Sequence, residues 1–182
     1  MPASTITIRP VDRFPEPEFT QLQREVFRDI EEPSERLAAA LQAESAARAA
    51  NAVETPAYAP MRRLGAYEGE QLVGWTCGWM ERGGVFYMAN SGVIALQRRR
   101  GIYSRLLAET CDLARAGGAV VVRSQHSVLN NAVLIAKLRA GFHVSGLSQA
   151  AQMGTLVELT LHLAPERQQL FRQRAIPHVA PG

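Results

Sequence analysis

Cysteine is scarce in this chain, two residues in 182. The pair, Cys77 and Cys111, makes no CxxC motif and has no histidine cluster nearby. That excludes a disulfide framework and a cysteine-ligated metal, and the thiols read as buried groups in a reducing compartment. Long apolar runs are missing too, so no segment reaches the length that crosses a membrane. Met1-Pro2-Ala3-Ser4 lacks the pattern of a signal peptide, which makes the cytoplasm the expected location. Excess charge is small: the pI of about 9.2 comes from a net charge of only +3. That is too little to imply nucleic acid unless the basic residues cluster. Neither GxxxxGK[ST] nor the three spaced glycines of a dinucleotide fingerprint occurs, which removes P-loop and dinucleotide-binding readings.

With 47% hydrophobic residues, the chain can bury a full core without metals or disulfides. Residues 1–164 read as one domain, and 165–182 as a polar, proline-bounded tail with room for one short helix. Thr5 to Arg9 alternates as a strand, and a first helix starts near Pro15 and runs to Ile30. Pro33 to Asn51 is an alanine-rich helical segment with Ser34 and Glu35 at its start, broken by Pro56 to Pro60. Arg62 to Tyr67 and Gln71 to Met80 form a hairpin around Glu68-Gly69-Glu70, followed by a strand from Val85 to Ile94. A helix from about Arg99 to Ala116, a strand from Ala119 to Arg123, a helix from Asn131 to Ala140, and strands near Phe142 to Leu147 and Thr155 to Leu163 complete the order. That order predicts an α/β fold.

The most informative stretch runs from Val93 to Leu107, where an apolar strand passes through Arg98-Arg99-Arg100-Gly101 directly into an amphipathic helix. A helix opening at such a turn directs unpaired backbone N–H groups and its dipole at one point, which suits a phosphate or pyrophosphate. Ile102, Leu106, Thr110 and Leu113 follow at helical spacing, with Leu107 and Ala114 widening the apolar face.

Arg98-Arg99-Arg100-Gly101-Ile102-Tyr103 resembles the [QR]xxGx[GA] coenzyme A signature of the GNAT acetyltransferase superfamily, with Tyr103 where a small residue is usual. Asn130-Asn131-Ala132-Val133-Leu134-Ile135-Ala136-Lys137-Leu138-Arg139-Ala140-Gly141-Phe142 resembles the NxxAxxLYxxxGF block that follows it in the same superfamily. The blocks stand in the right order, with the apolar strand Ala119 to Arg123 between them. The likeness extends over about Leu72 to Leu163. It implies a mixed, mostly antiparallel sheet splayed at its centre, with helices on both faces and acetyl-CoA as acyl donor in the cleft.

On that resemblance, Val93, Ile94, Arg98, Arg99, Arg100, Gly101, Ile102, Tyr103, Ser104 and Asn130 are the cofactor-binding candidates. The backbone N–H near Ile94 is the expected oxyanion donor. Asn130 reads equally well as a plain helix cap. The tyrosine that commonly protonates the coenzyme thiolate aligns with Lys137, which a helix-surface reading leaves solvated. Gly92, inside a strand pattern, marks a bulge or a close approach.

Acetyl transfer needs a base for the acceptor amine, and His126 is the catalytic candidate. It follows the strand ending at Arg123, and an ordinary imidazole pKa suits proton removal near neutrality. Glu25, Glu81 and Glu158 are weaker rivals, and Trp75, Trp79 and Tyr87 either line an acceptor pocket or pack the sheet. Three functions stay open: an N-acetyltransferase acting on a small-molecule or peptide amine, a coenzyme-binding sensor without activity, and a nucleic-acid patch at Arg98-Arg99-Arg100 with Arg105. One bound phosphate explains those arginines better than a duplex does. No nucleic-acid, membrane or metal partner is expected, and a homodimer stays open.

Overall fold

The computed structural model describes residues 5–27, 35–50, 59–150 and 153–175. Within them the elements run β1 (Ile6–Pro10), α1 (Glu18–Val26), α2 (Glu35–Ala50), β2 (Arg62–Glu68), β3 (Gln71–Glu81) and β4 (Val85–Val93). A short 3-10 turn (Ala95–Gln97) leads to α3 (Ile102–Ala116), β5 (Val121–Ser127), α4 (Asn131–Arg139), β6 (His143–Ala150), β7 (Gly154–His162) and α5 (Pro165–Ala175). The expected signal-free start at Met1 to Ser4, the cap at Ser34 and the break at Pro56 fall outside the described residues.

The strands form one sheet in the order β1-β2-β3-β4-β5-β7-β6. Every neighbouring pair is antiparallel except β4 with β5. That exception creates the cleft. β4 and β5 pair only at Val85↔Val121, Phe86↔Val122 and Tyr87↔Arg123, after which the strands diverge. β5 continues to Ser127 on β7, whereas β4 continues to Val93 on β3. The expected central splay is therefore present as a fork that closes at Tyr87 and Arg123.

Register explains why β4 turns away. Cys77 pairs with Asn90 and Gly78 with Met88, so Ala89 is an extra residue with no partner on β3. Such a bulge bends its strand and increases its twist. Gly92 serves a different purpose: a Cβ there would meet the Trp75 ring at 2.7 Å, so glycine is required for close approach.

Helices cover both faces. α3 buries Ile102, Leu106, Leu107, Thr110, Cys111 and Ala114, the stripe its spacing predicted. They pack on Val73, Phe86, Met88 and Val122. On the other face Phe19 of α1 and Phe27 meet the fully buried Trp75 edge-on, and the Trp75 indole N–H donates to Asn90 Oδ1 at 2.7 Å. Trp75 is thus core, not acceptor lining. Burying an indole this completely stabilises the fold by a few kcal/mol. Residues after Pro165 do form a helix, and Phe171 of α5 stacks on His143 with ring centroids 3.5 Å apart. α2 is different: of its described side chains only Leu41 is partly covered. Among the described residues no helix is long and apolar enough to cross a membrane.

Candidate active site

At the open end of the fork the chain leaves β4 through the 3-10 turn and enters α3 at Gly101, whose φ of 76° only glycine adopts cheaply. A Cβ on Gly101 would have no neighbour within 4 Å, so the space before the turn is open. Among the described residues the amides of Arg99 to Ser104 make no backbone hydrogen bond; the first is Arg105 N–H to Gly101 O, 3.1 Å. No side chain caps the helix. Unpaired amides at a helix start, facing free space, constitute an anion cradle.

The arginines around this cradle point to different partners. Arg98 Nε donates to Val93 O at 3.1 Å, tying the turn back to β4. Arg100 bonds Gln97 and pairs with Glu68 at 3.4 Å. Arg105 donates to Ile6 O on β1 at 3.0 Å. Three of the four arginines are thus each tied to a separate protein partner. Tyr103, in the first turn of α3, packs against the core, and its hydroxyl, near Ser91 but outside hydrogen-bonding geometry, is buried with no partner among the described residues. Burial pushes its pKa up to about 12, which keeps the phenol protonated and makes it a weak acid. Val93 and Ile94 are buried, and the Ile94 N–H is already taken by Val73 O at 3.1 Å. The oxyanion donor expected there is therefore unavailable.

The closed end is polar and buried. Lys137 of α4, expected in solvent, is 0% exposed. α4 turns Leu134 and Lys137, three residues apart, toward the sheet and leaves Leu138 outside. Lys137 Nζ donates to Ser124 Oγ at 2.6 Å, touches Met88 Sδ at 3.3 Å, and sits 4.7 Å from the Phe142 ring centroid. Met88 and Ser124 are the residues immediately past the last β4–β5 pair, so the amine stands in the crotch of the fork. Burial pushes its pKa down to about 7, opposed weakly by Cys111. Gly141, with φ of 95°, follows α4 and returns the chain so that Phe142 packs beneath Lys137.

His126 belongs to β5 rather than to a loop beyond it, on the same side of the strand as Ser124. Its Nε2 lies 3.1 Å from Ser124 Oγ. Burial, assisted by Lys137, pushes its pKa down to about 3, so the ordinary imidazole value expected from sequence does not hold. Asn130 caps α4, its Oδ1 accepting the Val133 N–H at 3.3 Å.

Alternation along β5 sends Arg123 and Gln125 to the opposite, α1-bearing face. There Gln125 accepts from the Tyr87 hydroxyl at 3.2 Å and donates to Glu158 at 2.8 Å, while Arg123 pairs with Glu81 at 2.5 Å. Tyr87 stacks obliquely on Trp79 at 5.1 Å, and burial with nearby Glu81 raises its pKa. Glu25 joins no part of this network. Sequence alone places Met88, Ser124 and Gln125 in the walls of the expected cleft but assigns none of them a role of its own. Leu134 to Lys137 spacing was the available signal for Lys137, and period-two alternation after Arg123 was the signal for β5.

A surface cavity of about 190 Å³ between α5 and the start of β6 is lined by Phe142, His143, His162 and Phe171, away from the turn and the fork's open side. Among the described residues no group of acidic, histidine and cysteine side chains could hold a metal.

Comparison with known proteins agrees with the fold. A family profile described as Acetyltransferase (GNAT) family matches residues 14–142, more than half of the chain. No curated protein matches it in sequence. Among solved structures it is similar to the ribosomal-protein-S18-alanine N-acetyltransferase of Escherichia coli, at 13% identity and a TM-score of 0.63, covering 88% of this chain and 95% of that one. The IAA acetyltransferase of Bacillus cereus gives 15% identity and 0.62, covering 87% and 99%. A Bacillus subtilis acetyltransferase in complex with CoA gives 15% and 0.59, covering 88% and 100%.

Proposed function

This chain belongs to the GNAT acetyltransferase family and is an acetyl-CoA-dependent N-acetyltransferase, and on that premise we propose how its own residues bind the donor and receive the acceptor amine. The donor pyrophosphate rests on the amides of Arg99 to Ser104, with Arg98 and Arg100 at its rim, and the pantetheine arm runs down the fork between β4 and β5. One observation carries this: the two strands separate after Tyr87 and Arg123 and end, on the β4 side, at an uncapped helix start. A linear donor with an anionic head fits that shape. The Ala89 bulge, at the level of the fork, frees β4 backbone groups to meet the developing oxyanion.

The acceptor amine approaches from the α1-bearing face. The carboxylate of Glu158, hydrogen-bonded to Gln125, and the Trp79–Tyr87 pair support that assignment, because they place negative charge and aromatic surface beside the fork. Proton removal falls to Glu158 or to a water beside it. His126 is less well suited: it lies on the other face, and an imidazole with a pKa of about 3 is a feeble base near neutrality. Small-molecule and peptide amines both fit this face. Free thiols at Cys77 and Cys111 suit a cytoplasmic setting.

The test is a panel of small amines and peptides incubated with acetyl-CoA while coenzyme A thiol release is followed. We expect turnover with at least one amine class, falling about a hundredfold in Glu158→Gln. Release that no amine accelerates would overturn the proposal.

A further inference from the structure

We infer that Lys137 is the group that receives the coenzyme A sulfur: its ammonium pairs with the departing thiolate and returns a proton to it. This rests on the donor site proposed above. The argument begins with position. Nζ touches the first residue past the pairing on each strand, Met88 on β4 and Ser124 on β5, so whatever runs down the fork ends against it. The surroundings suit a cation that awaits an anion. A hydroxyl oxygen, a thioether sulfur and an aromatic face surround the amine, and among the described residues no carboxylate pairs with it. A buried ammonium left without a counter-ion is costly, and a thiolate arriving at the fork would supply one.

The titratable groups that face Lys137 are Cys111 from α3 and His126 from β5. Neither competes for the role. Burial keeps the Cys111 thiol protonated and the imidazole neutral. Charge coupling also fits: an arriving thiolate draws the amine's pKa up from about 7 while the ammonium draws the thiol's down from its usual value of about 8.5, so the ion pair forms first. In the step, the acceptor nitrogen bonds to the carbonyl carbon, the carbon–sulfur bond breaks and the electron pair stays on sulfur. Lys137 first holds that sulfur as an ion pair, then gives it a proton as coenzyme A leaves and becomes a neutral amine. It recovers a proton from the pool fed by the one the acceptor nitrogen sheds, so nothing is consumed beyond acetyl donor and amine.

The experiment titrates the full chain with coenzyme A and with desulfo-coenzyme A by calorimetry, and follows the thiolate absorbance of bound coenzyme A as pH is varied. Wild type should prefer coenzyme A by about tenfold or more, and should hold its sulfur as thiolate at a lower pH than free coenzyme A. Lys137→Met, close in shape, should bind both ligands equally, at the wild-type affinity for desulfo-coenzyme A, and lose the thiolate signal. Equal binding by wild type, which needs no variant, would overturn the inference while leaving the donor site standing. Failure of both ligands to bind would overturn the donor site as well. Discrimination that survives in folded Lys137→Met, or an acetyl group found on Lys137 by mass spectrometry, would also overturn it, the latter because the amine would then be a nucleophile.

Discussion

The two ends of the β4–β5 fork are built on opposite principles. At the open end recognition is made of backbone: uncapped amides, a left-handed glycine and arginines that reach solvent or surface partners. At the closed end it is made of one buried side chain, Lys137, held by Ser124, Met88 and Phe142 with no counter-ion among the described residues. The first arrangement is inexpensive to fold and, on the proposal above, receives an anion that arrives hydrated. The second carries a folding penalty in the unliganded protein, which the thiolate of the inferred step would relieve. Affinity and chemistry are thus separated along one cleft.

The largest test of that contrast is the pH dependence of stability. The folded Lys137 has a pKa of about 7, well below its unfolded value, so between those values the unfolded chain binds more protons. Stability should then rise with pH through that window, on the order of 1.4 kcal/mol per pH unit, and the penalty should be complete below about pH 7. Lys137→Met should be the more stable protein at pH 6 and should flatten the rise, as read by denaturant unfolding across pH. A parallel slope in both proteins would show that the amine is not desolvated.

That contrast also governs what the sequence revealed. The open end was legible because it is local: Arg98 to Ser104 form a continuous turn, and Gly101 before an apolar helical stripe states its own conformation. The closed end was hidden because burial is a tertiary property. Lys137 looks like any lysine on a helix until α4 is docked, and only its three-residue spacing from Leu134 hinted at the buried side. β5 was read too short for the same reason. Ser124, Gln125, His126 and Ser127 are polar because they line a fork instead of a sheet interior, so the strand's second half mimics a loop. The order of elements along the chain and the ends of α4 at Asn130 and Gly141 followed from periodicity and turn chemistry, whereas the splayed sheet was implied by the family resemblance. The α1-face network of Tyr87, Gln125 and Glu158 needed three separate strands to meet, which no linear pattern displays.

A smaller effect is expected at Ser124. Ser124→Ala removes the oxygen bonded to the Lys137 amine and should cost about 1–3 kcal/mol by denaturant unfolding. In a Lys137→Met background the same change should cost much less, and a double-mutant cycle reads the difference. Additive costs would mean that the two side chains are not energetically joined.

The smallest stability effect belongs to the open end. Arg100→Ala breaks an exposed pair with Glu68 and should change stability by less than about 1 kcal/mol. Acetyl-CoA affinity should fall a few-fold, and its salt dependence should weaken, if Arg100 contributes charge to the cradle. Loss of stability without loss of affinity would place Arg100 outside the site.

The most direct test is calorimetric titration of acetyl-CoA into wild type and Gly101→Ala. A methyl group at Gly101 meets no protein atom within 4 Å and projects into the space before the uncapped helix. The positive φ costs about 1 kcal/mol of stability, which circular dichroism and thermal unfolding would register without loss of fold. If that space holds the donor pyrophosphate, affinity should fall about tenfold or more in the folded variant. Equal affinity in the two folded proteins would contradict the placement of acetyl-CoA in the β4–β5 fork.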